Sequence, residues 1–154
     1  MVSNLKVIID NAQSKYKIPS GTRMLVRRSC HAALQHKLFD SVASVFVTFA
    51  DNDILEAYSD HRISNFEAPE VISIPSVEKG ESLGKLIISV ERILELTKIY
   101  NRPFEMGMVY ASVHGIFNLL GEYYTDQESK DKLMKEEALV MGRMGFSPLS
   151  DYHG

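Results

Sequence analysis

The chain has 154 residues, 45% of them hydrophobic and 24% charged, which suits one compact domain, residues 1–154, with enough apolar side chains for a core. Its net charge of -3 excludes a globally basic surface but not a local basic groove for phosphates. Cys30 is the only cysteine, which excludes an intrachain disulfide and a zinc site built on clustered thiolates.

In chain order, Leu5 to Ile9 (LKVII) is a short β-branched run that predicts a strand buried on both faces. From about Thr22 to Leu38 the period turns helical, with Val26, Cys30, Ala33, Leu34 and Leu38 on one face. Arg23, Arg27, Arg28 and Lys37 decorate its other faces, either as a solvated surface or as a basic stripe that touches RNA backbone. His31 and His36 fall mostly outside the apolar stripe and are expected in solvent. Ser44 to Phe49 (SVFVTF) is the next strand, and Asp51 caps a short helix running to about Asp60. A loop from His61 to Pro69 leads to a strand at Glu70 to Ile74, then a polar connection from Ser76 to Gly84. Leu86 to Val90 (LIISV) is a strand feeding a helix from about Glu91 to Tyr100.

Pro103 suits the first turn of the following helix, Phe104 to Leu120, which is apolar nearly all round and therefore central and buried. Gly121 ends it. Thr125 and Glu128 form a T-x-x-E capping-box pattern for a last helix that runs to about Met144 and stops at Gly145. The tail from about residue 146 is expected to be loosely ordered. The expectation is an α+β domain, a small mixed four-stranded sheet packed with about five helices.

The central helix carries the candidate chemistry. His114 and Asn118 are four apart and share one face, which Gly107 and Ala111 line with small side chains, so a cleft is expected beside the helix. Two histidines at that spacing make a good metal pair, whereas histidine with asparagine makes a poor one, because an amide oxygen is a weak zinc ligand. The alternative is a core histidine satisfied by Asn118 or by backbone. His61 precedes Arg62 and is a further candidate for the same cleft, and His153 lies in the tail. No glycine-rich phosphate loop or P-loop lysine is present, so no nucleotide cofactor is expected.

The stretch VHGIFNLLGEYY, Val113 to Tyr124, resembles the H-G-x-x-H-L-x-G-Y-D-H signature of the YbeY family of bacterial single-strand-specific endoribonucleases of ribosomal RNA maturation. His114, Gly115, Leu119 and Gly121 match in place. ADNDILEAYSDHR is similar to the family segment that ends in a functional arginine, here Arg62. APEVISIP is similar to P-T-D-V-L-S-F-P, with Val71, Ser73 and Pro75 matching, and KLMKEEALVMGRMGF is similar to the closing helix with its acidic pair. The resemblance spans about Leu5 to Phe146. It implies a zinc ion held at the positions of His114, Asn118 and Tyr124, with Arg62 pairing with a phosphodiester and Ser73 lining the groove. Yet two of the three ligand histidines are replaced by Asn118 and Tyr124, Glu122 offers a carboxylate only from a shifted place in the turn, and Pro69, Glu70 and Tyr58 depart from the family letters.

The resemblance therefore implies a zinc-dependent endoribonuclease acting on single-stranded or ribosomal RNA. Its alternative is an impaired relative that keeps the fold and binds RNA or a ribosome-associated partner, and a third is a sequence diverged for stability alone. The opening MVSNLKVIID lacks the pattern of a secretory leader, and no apolar run approaches the ~20 residues of a membrane helix, so a cytoplasmic protein with no membrane partner is expected.

Overall fold

The computed structural model describes residues 5–39, 41–58, 69–77 and 80–146. The elements run β1 (Leu5–Asn11), α1 (Thr22–His36), β2 (Ala43–Ala50), α2 (Asn52–Tyr58), β3 (Val71–Pro75), β4 (Ser82–Ser89), α3 (Val90–Tyr100), α4 (Phe104–Leu119) and α5 (Gln127–Arg143). The sheet order is β1-β2-β4-β3. β1 pairs parallel with β2, β2 parallel with β4, and β3 antiparallel with β4, so this is the expected mixed α+β sheet.

Parallel pairs need crossovers, and α1 supplies the one between β1 and β2. The main core lies between the α1/α4 layer and one sheet face, which carries Val7, Val45, Val47, Phe49, Leu86 and Ile88. A smaller cluster of Ala50, Leu55, Ile72 and Ile87 lies under α2 on the opposite face. Asp51 caps α2 as expected, accepting from the Ile54 backbone N–H at 2.8 Å.

The structure corrects four local expectations. α1 ends at His36, and Leu38, expected on its apolar face, lies beyond it, 87% exposed. β1 is not buried on both faces. It is an edge strand, only Val7 in it is buried, and Ile8 points outward beside Phe46. A β-branched run cannot by itself distinguish an edge strand from an inner one. The connection after Ser76 ends sooner than its polar composition suggests, because β4 begins at Ser82. Gly84 lets it pass close to β3, since a Cβ there would strike the backbone carbonyl of Ile74. The capping box of α5 sits one residue later than expected. Asp126 accepts from the Ser129 N–H at 2.8 Å, and the Ser129 hydroxyl serves the Asp126 N–H at 3.0 Å.

α4 is the axis of the molecule, packed against α1, α3, α5, β3 and β4. Its apolar character all round follows from having a neighbour on every side. It closes at Gly121, whose φ of +90° turns the chain so that the Glu122 N–H returns to the Phe117 carbonyl at 3.0 Å.

Candidate functional site

The site forms where α4, the turn after it and α5 meet. His114 projects from α4 toward α5, and its Nδ1 lies 2.6 Å from Oε2 of Glu137. Tyr124, in the turn, donates its hydroxyl in a short hydrogen bond to Oε1 of the same carboxylate. Tyr110, one turn before His114, stacks on the imidazole with ring centroids 5.3 Å apart and places its hydroxyl 3.1 Å from that of Tyr124. The His114 and Tyr124 rings lie 4.7 Å apart, centroid to centroid. Glu137 is only 2% exposed, and each of its oxygens has a partner. A buried carboxylate is tolerated only when so bonded. Burial first, then the adjacent Glu137 charge, raises the Tyr124 phenol above its ordinary range, so Tyr124 stays a protonated donor.

His114 is thus satisfied by a carboxylate from another helix rather than by Asn118 or backbone. Asn118 follows it by one turn, with its Oδ1 buried and accepting no hydrogen bond among the described residues. The small residues do not open a cleft beside the helix. The space a Gly107 side chain would fill is taken by Ile93, whose Cγ2 would lie 2.7 Å from an added Cβ, and Ala111 is fully buried. Gly115 serves the sheet. Leu86 and Val71 press against it, and the Ser73 hydroxyl donates to its carbonyl at 3.0 Å. Ser73, half-buried, therefore ties β3 to α4. Arg62, His61 and His153 lie outside the described residues.

Glu122 is engaged elsewhere, with the Lys37 ammonium 2.8 Å away. Lys37 also lies 2.6 Å from Glu136, whose carboxylate is 3.2 Å from His36 Nε2, and Arg143 contacts the other nitrogen of His36 at 2.9 Å. Lys37 and His36 are therefore not solvated decoration but a clasp between α1 and α5. Of the basic residues on α1, Arg23, Arg27 and Arg28 are exposed. Cys30 is buried, and burial pushes its thiol up to about 12, which leaves it an inert core group.

The residue that sequence reasoning left without a role is Glu137. Its signal was present, because Leu133, Glu137, Val140 and Met141 form the buried stripe of α5 at helical spacing, and a carboxylate in such a stripe requires a partner.

The donor set does not fit zinc. Zinc sites take about three good protein ligands. Here His114 offers one imidazole nitrogen, Asn118 a neutral amide oxygen enclosed by protein, and Tyr124 a protonated phenol committed to Glu137. Among the described residues, no group of three or more His, Cys, Asp or Glu side chains is gathered as a metal cage.

The mixed four-stranded sheet packed against its central helix defines an α+β domain. The profile of the family Endoribonuclease YbeY matches residues 8–145, and the chain belongs to that family. Similar curated relatives, each named Endoribonuclease YbeY, come from Caldanaerobacter subterraneus (31% identical, covering 92% of this chain and 99% of the relative) and Alkaliphilus oremlandii (29%, covering 88% and 95%). Among solved structures, the solution structure of TM1509 from Thermotoga maritima matches with a TM-score of 0.56 at 20% identity, over 90% of this chain and 91% of that one, a likeness of fold.

Proposed function

We propose that this chain serves ribosomal RNA maturation in the cytoplasm as a single-stranded RNA-binding member of its family, without zinc-dependent hydrolysis. The observation that carries this reading is the Tyr124 hydroxyl, which is donated to Glu137 at a position where the family motif has a zinc-ligating histidine. A protonated phenol and an enclosed amide give a zinc ion too few donors to hold it. Membership of an endoribonuclease family supports RNA as the ligand. Arg62, at the family's functional arginine, would pair with a phosphodiester through its planar fork, and Ser73 would line the groove. A ribosome-associated protein is the second partner this reading admits.

One observation favours a retained zinc-dependent nuclease instead. A carboxylate on one ring nitrogen is the usual outer support of a metal-bound histidine, and Glu137 gives His114 that support. The two readings separate in one experiment. Full-length protein is mixed with short single-stranded and duplex RNA, with zinc or with a chelator, and bound and cut fractions are read on gels. The expected result is binding of the single strand that weakens steeply with salt, loss of affinity on Arg62→Ala, and no zinc-dependent cutting. Zinc-stimulated cutting would establish the nuclease reading, and absence of RNA binding would sink both.

A further inference from the structure

We infer that Glu137 is the centre of this site as it stands and is the positioning residue that holds His114 by Nδ1, leaving Nε2 as the remaining ring nitrogen. A zinc ion at the motif would join α4 to the turn that follows it, through the positions of His114 and Tyr124. Here one carboxylate joins those same two side chains, with Oε2 on His114 Nδ1 and Oε1 on the Tyr124 hydroxyl. Because Glu137 comes from α5, the junction also locks the last helix onto the central one.

The chemistry of the partners fixes the direction of each bond. A carboxylate is an acceptor only, so His114 donates from Nδ1 and Tyr124 donates from its hydroxyl. With Nδ1 occupied, Nε2 is the remaining ring nitrogen, and the His114 side chain keeps 17% of its surface exposed. Tyr110 stacks on one face of the ring and Tyr124 tilts against it, so the imidazole has little freedom to turn over. Both oxygens of the Glu137 carboxylate and Nδ1 of His114 are satisfied without a cation. This arrangement deepens the metal-free reading above, and its test involves no RNA, so that failure to bind RNA leaves it standing.

The test is the tautomer of His114, read from long-range proton–nitrogen correlations on the nitrogen-15-labelled full chain, with zinc and with a chelator. The expected spectrum shows His114 carrying a proton on Nδ1, unchanged by a chelator and unmoved by one equivalent of zinc. Tyr124→Phe keeps that tautomer, because the Glu137–His114 bond survives, whereas Glu137→Leu moves the proton to Nε2 in a large share of molecules. A merely structural role for Glu137 would disturb packing in both variants and the tautomer in neither. A wild-type ring protonated on Nε2 alone, or His114 signals that shift stoichiometrically with zinc, overturns the inference. The wild-type spectrum decides this even where Glu137→Leu fails to fold.

Discussion

At the scale of single residues, Tyr124 shows what a ligand position becomes when its chemistry changes. Its hydroxyl supplies one of the two donors on a carboxylate that is 2% exposed. Tyr124→Phe leaves Oε1 of Glu137 without that donor, and a hydrogen bond to a charged buried group is worth ~1.5–3 kcal/mol. The expected loss of stability is of that size, read as a lower urea midpoint with an unchanged slope. Two glycines give opposite outcomes under the same substitution. A Cβ on Gly115 would lie 2.8 Å from Leu86 Cδ2 and 3.3 Å from Val71 Cγ2. Gly115→Ala therefore forces the buried Leu86 and Val71 side chains to repack and costs ~1–3 kcal/mol. Gly142, near the end of α5, has nothing within 4 Å, and alanine is the better helix former by ~1 kcal/mol. Gly142→Ala should raise the melting temperature where Gly115→Ala lowers it.

At the scale of elements, two helices carry polar junctions that hydrophobic periodicity does not encode. The stripe of α4 was legible because every side of that helix packs, and its end was legible because Gly121 is the residue that a left-handed turn favours. The clasp between α1 and α5 was not, because it joins His36 and Lys37 to Glu136 across about a hundred residues of chain. Its pH dependence follows from Glu136. Burial alone would raise that carboxyl, but hydrogen bonds and charge from Lys37 and His36 outweigh it, and the folded value lies below the ordinary 4.5. A depressed carboxyl contributes stability that is fully present above its unfolded value and is lost as pH falls toward and through the folded one. Acid titration of the melting temperature should therefore show a decline beginning near pH 4.5. Lys37→Met should flatten the part of it due to this clasp. Raised salt should shrink the difference only in part, since both side chains are largely shielded from solvent, 17% and 21% exposed.

At the scale of the whole molecule, the order of elements and the mixed sheet could be read from the chain because turn residues and apolar periods agree along most of it. The site could be read only by half. His114, Asn118 and Tyr124 are neighbours in one short stretch, and their motif names the family. What completes the arrangement is Glu137, thirteen residues beyond Tyr124 on another helix, and a linear pattern does not show which buried carboxylate meets which donor. Asn118→His combined with Tyr124→His tests how far the fold still supports a metal. His114 keeps its carboxylate partner, and outer partners of this kind are typically worth ~10–100-fold in metal affinity. The two new imidazoles bring the ligand count to three, the number a zinc site with one open position uses. The parent chain, dialysed and analysed for elements, should carry well under one zinc per molecule and melt at the same temperature with or without chelator. The double variant should retain close to one zinc, and its melting temperature should rise with added zinc, since a ligand that binds only the folded state stabilises it. Adding Glu137→Gln to that background should lower the zinc affinity while leaving the three imidazoles in place. A double variant that folds but retains no zinc would mean that the backbone around Asn118 and Tyr124 has itself drifted from ligand geometry, so that the loss lies deeper than two side chains.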